Sequence, residues 1–342
     1  MTTSLMRAET DEASAVVARA LACERETLAR IGRRLADAPP PLITTAARGS
    51  SDNAVSVFEY LSAIVLGIPV ASIGPSVASA YGARLRLEGA VHISVSQSGA
   101  SPDIIALQKA AREGGATTIA LVNVADSPLA AGADLVVPLH AGEEKSVAAT
   151  KTCLASAALL AGIVAAASGD ATLAAGLAAL PEALAAPSEG DVEGLVEGLV
   201  AARSLFVLGR GPGYGVAREA ALKAKETAAL HAEAISLAEV QHGPKQLVAA
   251  GFPVLAFVAD DAARAASERA LDGLAGQGAQ VRVVGPVADP SHGGLRTAAT
   301  GAPLLDPLVA LCAFYRVIEQ AARARGHDPD APSHLAKVTR TV

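Results

Sequence analysis

Chemistry is densest in residues 209–247, GRGPGYGVAREAALKAKETAALHAEAISLAEVQHGPKQL. Glu219, Lys223 and Glu226 recur there at i, i+4 and i+7, which puts them on one helix face. Carboxylates and a lysine gathered in this way can carry protons to and from a substrate. The alternative is a solvated ion-pair ladder. The opposite face is mostly Ala, so the charged face is expected to point into a cleft. His231 and Glu233 follow in LHAEA, and His242 precedes Gly243-Pro244, a tight-turn signal. The glycines of GRGPGYG match a dinucleotide fingerprint only weakly.

A second group of candidates is SVSQSGASPD, residues 94–103, directly after an apolar run. Ser96, Ser98 and Ser101 offer hydroxyl donors, Gln97 an amide, and Gly99 close backbone approach. Pro102-Asp103 opens a helical run, so the loop lies at a helix N-terminus, where unpaired N–H groups and the helix dipole favour an anion. The competing reading is a capped turn with Ser101 or Asp103 as N-cap. A similar loop, ARGSSDNA, puts Gly49, Ser50 and Ser51 between another strand and helix. Two such loops on neighbouring strands can grip both a phosphate and sugar hydroxyls, so a small anionic ligand is expected.

The elements that must position these groups read as an α/β protein with parallel sheets, since short β-branched runs alternate with Ala/Leu-rich helical stretches. Strands are expected at 41–47, 90–97, 117–124, 204–210, 252–259 and 280–286. Ile43 with Leu205, Ile93 with Leu255 and Ile119 with Val281 each lie 162 positions apart, so the chain holds two copies of one α/β unit. At the same offset Ser96, Ser98 and Ser101 become Val258, Asp260 and Ala263. The second copy has lost the serine loop, so one anion site per chain is expected. A helix over 11–36 opens the first copy. The expected layout is an N-terminal helical segment (1–36), a first domain (37–180), a linker (181–194) with Pro181 and Pro187, a second domain (195–327), and an extended tail (328–342).

Composition removes several classes. The chain has 342 residues, a formal net charge of -6 and 51% hydrophobic residues. That charge opposes nucleic-acid binding, which needs a basic footprint. TCLASAALLAGIVAAASG is about the minimum length of a membrane span. It is mostly Ala with Lys151 directly before it, so a buried packing helix is expected and no membrane contact. Cys23, Cys153 and Cys312 are far apart and lack metal-ligand spacing, which fits a reduced cytoplasmic setting and no metal. Glu9, Asp11 and Glu12 replace the basic n-region of a signal peptide.

SQSGAS, VAATK (147–151), ALKAKE (221–226), LHAEA, QHGP and the terminal HLAKVT together resemble the sugar isomerase (SIS) domain family. The nearest pattern is the isomerase half of glutamine–fructose-6-phosphate aminotransferase, and it extends over nearly the whole chain. The resemblance implies two tandem SIS domains, each a parallel five-stranded sheet flanked by helices, in a homodimer. It implies that Ser96, Gln97, Ser98 and Ser101 hold the sugar phosphate, that Gly49, Ser50 and Ser51 contact the sugar, and that Val147 and Ala149 lie at a third ligand loop. Glu226 then corresponds to the base that moves a proton between C1 and C2, with Lys223 beside it. His242 corresponds to the ring-opening histidine, contributed by the neighbouring subunit. Lys337 corresponds to a lysine able to form a Schiff base with the open-chain sugar, and the tail that carries it closes the active site.

This chain departs from the pattern at four places, one of them Ser101, where the aminotransferase has Thr. Arg48 replaces a small or thiol residue before the Gly-Ser-Ser loop, Ala149 replaces a hydroxyl residue, and Thr2 stands where the aminotransferase has a catalytic cysteine opening its glutaminase domain. With no glutaminase, the same chemistry is expected to run as an isomerising glucosamine-6-phosphate deaminase, without a cofactor. The alternatives are a fructosamine-6-phosphate deglycase, an aldose–ketose phosphosugar isomerase, and a non-catalytic sugar-phosphate sensor. The sensor is disfavoured by the presence of Glu226, His242 and Lys337.

Overall fold

The computed structural model describes residues 3–337. The chain divides into two compact units. Among the described residues the first comprises 15–144, 151–174 and 336–337. The second comprises 3–14, together with 145–150 and 175–335.

The helix expected over 11–36 is instead two, Ala13–Cys23 (α2) and Arg25–Asp37 (α3), preceded by the short Leu5–Asp11 (α1). At the break between α2 and α3 the Glu24 side chain bonds His140 Nε2 at 2.7 Å. The first sheet takes Ile43–Ala46 (β1), Val70–Ser72 (β2), Val91–Ser96 (β3), Thr117–Val122 (β4) and Leu135–Pro138 (β5). Gly49–Leu61 (α4), Ser76–Ser79 (α5), Pro102–Glu113 (α6) and Pro128–Ala131 (α7) connect them, and Lys151–Ser168 (α8) follows. The strands run in the order β2-β1-β3-β4-β5, all parallel. Every residue of β3 is buried, as expected for a parallel strand covered on both faces.

α3 turns Leu28, Ile31 and Leu35 inward. Gly32 brings α3 against α8, because a Cβ there would lie 2.5 Å from the Ala166 Cβ. α8 is buried from Lys151 to Ala165. Among the described residues it is the one helix long and apolar enough to cross a membrane, and its burial gives it the role of a core helix.

Ala171–Ala185 (α9) runs straight through Pro181, where a linker was expected. The missing N–H of an interior proline costs a ladder bond. Leu177, Leu180 and Leu184, buried around it, offset that loss. Glu189–Gly190 (β6) and Val192–Ala201 (α10) come next, and Asp191 caps α10 by accepting from Gly194 N at 2.8 Å. Then follow Ser204–Gly209 (β7), Pro212–Ala228 (α11), His231–Ser236 (β8), Pro253–Phe257 (β9), Arg264–Gly276 (α12), Gln280–Gly285 (β10), Leu295–Arg296 (β11) and Asp306–Ala324 (α13).

The second sheet repeats the first, in the order β8-β7-β9-β10-β11, and adds the short antiparallel β6 beyond β11 as a sixth strand. Register carries the repeat to single residues. Thr44 faces His92 in the first sheet, and Phe206 faces Val254, 162 positions on, in the second. At the next strand the offset slips. Ile93 pairs with Ile119, but Leu255 pairs with Arg282 instead of Val281. The connection through α12 is one residue longer, so the third expected match is one residue out.

Candidate active site

In the first unit β1 and β3 are hydrogen-bonded neighbours, so their carboxyl ends deliver two loops side by side. Beyond β3, Ser96 Oγ accepts from Gly99 N at 3.1 Å and Ser98 Oγ accepts from Ala100 N at 3.3 Å. Gly99 has φ +61°, and a Cβ there would meet the Ser127 side chain at 2.0 Å, so only glycine fits. Ser101 occupies the N-cap of α6 but its hydroxyl makes no capping bond. The capped-turn reading therefore fails at Ser101, but Asp103 Oδ1 accepts from Ile104 N at 2.9 Å and Pro102 carries no N–H, so Asp103 takes up part of the first turn of α6.

Beyond β1, Gly49 starts α4 at φ +54°. Arg48 is the N-cap and makes no capping bond. It reaches across to α6 instead, where its Nε and Nη2 donate to Asp103 Oδ2 at 3.2 and 2.8 Å. The Gly-Ser-Ser loop and the serine loop are thus tied together, as two neighbouring loops gripping one ligand require. Sequence reasoning missed this ion pair, since its members lie 55 residues apart.

The same unit holds Lys337. Its Nζ lies 2.9 Å from Glu144 Oε2. Glu144 is buried and also accepts from Thr152 N at 3.1 Å and from the Thr152 hydroxyl at 2.7 Å. Nothing in the sequence marked Glu144, because its partner lies 193 positions away. Residues 338–342 of the tail, and Thr2, lie outside the described residues.

In the second unit the α11 face points inward, so the ion-pair-ladder alternative is excluded. Lys223 is 0% and Glu219 1% exposed, while Glu226 is half-buried. Lys223 Nζ donates to Glu226 Oε2 and sits 3.4 Å from Glu219 Oε1. Tyr315, fully buried on α13, donates its hydroxyl to Glu219 Oε1 at 3.1 Å. Burying a lysine and two carboxylates costs several kcal/mol in desolvation per ion, so such a cluster is better explained by chemistry than by stability. Glu226 is the member that faces out of the core.

Val147 and Ala149 belong to the second unit and alternate outward with buried Ser146, Ala148 and Thr150. Their loop is held by buried Glu9, which accepts from Lys145 N and, at 3.2 Å, from Ser146 N. Val147 N donates to Asp330 O at 3.2 Å, and the Asp330 carboxylate caps α1 through Leu5 N and Met6 N at 2.7 Å each. Glu9 thus orders a ligand-loop candidate, a role its sequence position did not disclose. His242 ends an exposed 3-10 turn, Glu239–His242, and makes no side-chain hydrogen bond among the described residues. His231 and Glu233 point to solvent from β8 and do not join the Lys223 cluster.

The second sheet's counterpart of the serine loop is acidic. Asp260 pairs with Arg264 at 2.9 Å, and burial followed by the nearby charges of Asp260 and Asp261 pushes the Asp306 carboxyl above its usual range. An anion is disfavoured there, which leaves the first unit's loop as the anion-binding candidate.

A mainly parallel sheet that occurs twice, with candidate ligand loops at its strand ends, defines a class. The SIS domain family profile matches residues 43–166 and 198–284, and the chain belongs to that family. A solved structure from Silicibacter pomeroyi DSS-3, provisionally assigned as a phosphosugar isomerase, shares 44% identity at a TM-score of 0.90 and covers 96% of this chain and 100% of that one. The glutamine–fructose-6-phosphate aminotransferase (isomerizing) of Aeropyrum pernix is 37% identical over 72% of this chain and 43% of its own length. That of Zymomonas mobilis is 32% identical over 86% and 51%. The chain therefore spans about half the length of the curated relatives it matches. The glucosamine-6-phosphate deaminase of Thermotoga maritima shares the fold, with a TM-score of 0.72 at 22% identity over 95% of both chains or more.

Proposed function

We propose that the protein processes phosphosugars, as an isomerising deaminase that converts glucosamine 6-phosphate and water to fructose 6-phosphate and ammonia. The observation that carries this reading is the buried Glu219–Lys223–Glu226 set, whose one outward member is a carboxylate able to relay a proton along one face of a sugar. Relatives that are isomerizing aminotransferases, and a deaminase of the same fold, support it.

In this reading Ser96, Gln97, Ser98 and Ser101 hold the phosphate, and Gly49, Ser50 and Ser51, with Val147 and Ala149, line the sugar. His242, on its exposed turn, opens the ring in a partner copy of a homodimer. Glu226 takes the proton from C2 while O1 takes up a proton from solvent, giving an amino-enol, and then delivers its proton to C1. The nitrogen lone pair moves in as C1 is protonated and makes a C2 iminium. Water adds to C2, the amine takes up a proton, and ammonia leaves as the C2 ketone forms. Lys223, whose Nζ donates to Glu226 Oε2, holds that carboxylate in place. The substrate's nitrogen is already at C2, so Lys337 acts here as a cation beside the open-chain sugar, with Schiff-base formation reserved for ketose substrates.

The test is incubation of the purified chain with glucosamine 6-phosphate while ammonia and fructose 6-phosphate are both assayed. Equal amounts of the two products support the proposal. Absence of ammonia from glucosamine 6-phosphate and from galactosamine 6-phosphate overturns it, and turnover of a fructosamine 6-phosphate instead makes the chain a deglycase.

A further inference from the structure

Arg48 and Asp103 form an ion pair in an unusual place. Asp103 stands in the first turn of α6, directly after the serine loop, and its side chain is 1% exposed. A carboxylate there complements the helix dipole, yet it puts a buried negative charge beside the loop that is to receive a phosphate dianion. At low effective dielectric, like charges at this range repel strongly. Arg48 cancels that charge from the neighbouring loop, through two nitrogens on one carboxylate oxygen. Its planar fork also fixes where α4 begins relative to α6, within one unit, as a single-point ammonium does not. The Arg48 side chain remains half exposed, so it has not been recruited simply to fill the core.

We propose that Arg48 is a positioning residue for the anion site: by neutralising Asp103 and tying the Gly-Ser-Ser loop to the α6 N-terminus, it sets the affinity for the substrate phosphate through Asp103. The preference that results is for ligands with a full dianion, since their affinity depends most on the net charge of the loop. This inference rests on the serine loop being the phosphate site of the proposed function. It makes the ion pair, and neither charge by itself, the determinant of affinity.

The test is a double-mutant cycle on the full chain, read by calorimetric titration with inorganic phosphate and with fructose 6-phosphate, so that no turnover is needed. Arg48→Ala is expected to weaken both ligands at least tenfold, because the buried Asp103 charge loses its arginine partner. Asp103→Asn is expected to bind at least as tightly as the wild type. The double variant is expected to return to within about threefold of wild type, and Arg48→Lys to fall between the wild type and Arg48→Ala. If Arg48→Ala fails to fold, the double variant and Arg48→Lys carry the same comparison. A double variant as weak as Arg48→Ala, or an Arg48→Lys as weak as it, overturns the proposal, since Arg48 then contacts phosphate itself or acts by shape alone. So does an Arg48→Ala that binds like wild type. A chain that binds phosphate with the expected cycle but releases no ammonia sinks the proposed reaction and leaves this inference standing. A chain that releases ammonia but binds phosphate alike in every variant does the reverse.

Discussion

Lys337 Nζ and Glu144 Oε2 lie 2.9 Å apart, the lysine half-buried and the carboxylate fully so. The tail is therefore fastened to its unit by a charge-assisted bond, and the residue that fastens it is a candidate for catalysis. Glu144 also satisfies two donors of Thr152 at the start of α8. Glu144→Ala removes all three bonds and leaves buried donors without an acceptor, at a cost of about 2–4 kcal/mol. A urea titration should show that loss, and hydrogen exchange should show faster exchange at residues 330–337. Unchanged exchange there would mean that the tail is held by other contacts.

Tyr315 orients Glu219, which in turn lies against Lys223. Tyr315→Phe deletes only the hydroxyl and leaves Glu219 one donor short, which should cost about 1–2 kcal/mol of stability. The same change should lower kcat roughly tenfold, about 1.4 kcal/mol of barrier, with KM little changed. Steady-state kinetics beside a denaturant titration separates the two effects. Loss of stability with no change in kcat would make Tyr315 purely structural.

His92 sits fully buried between Thr44 Oγ1 at 2.9 Å and Ser94 Oγ at 3.1 Å, and burial pushes its pKa from 6.5 down to about 4. The folded chain keeps this imidazole neutral, whereas the unfolded chain binds a proton below pH 6.5. Its contribution is full above pH 6.5 and is lost as pH falls towards 4, amounting to about 3 kcal/mol across that window. Denaturant midpoints at pH 7 and pH 4.5 test this, with His92→Gln expected to show a shallower fall. An equal fall in the variant would assign the acid sensitivity to other groups.

Much of this was legible in the sequence, and the parts that were not share a cause. The six expected strands, all inner strands of their sheets, and the repeat show in β-branched runs, because a parallel strand covered on both faces is mostly apolar. β2, β5 and β8 did not show: VAS and LVVP are short, and HAEAIS is polar on its outer face. The break at Glu24 and the helical passage through Pro181 were hidden because tertiary contacts override local propensity there. At the candidate site, local spacing was enough to single out Glu226 and the serines as candidates. Asp103, Glu144, Glu9 and Tyr315 act on partners far along the chain, and no local pattern marks them.

The central claim is that Glu226 carries the proton from C2 to C1 of an amino sugar phosphate. Its most direct test follows the C2 hydrogen of glucosamine 6-phosphate in deuterium oxide by NMR, for the wild type and for Glu226→Gln. The wild type should move that hydrogen to C1 of the product or exchange it with solvent as ammonia appears. Glu226→Gln should slow both at least 1000-fold, about 4 kcal/mol of barrier, while binding fructose 6-phosphate within about threefold of the wild type. A Glu226→Gln variant that exchanges the C2 hydrogen at the wild-type rate contradicts the account.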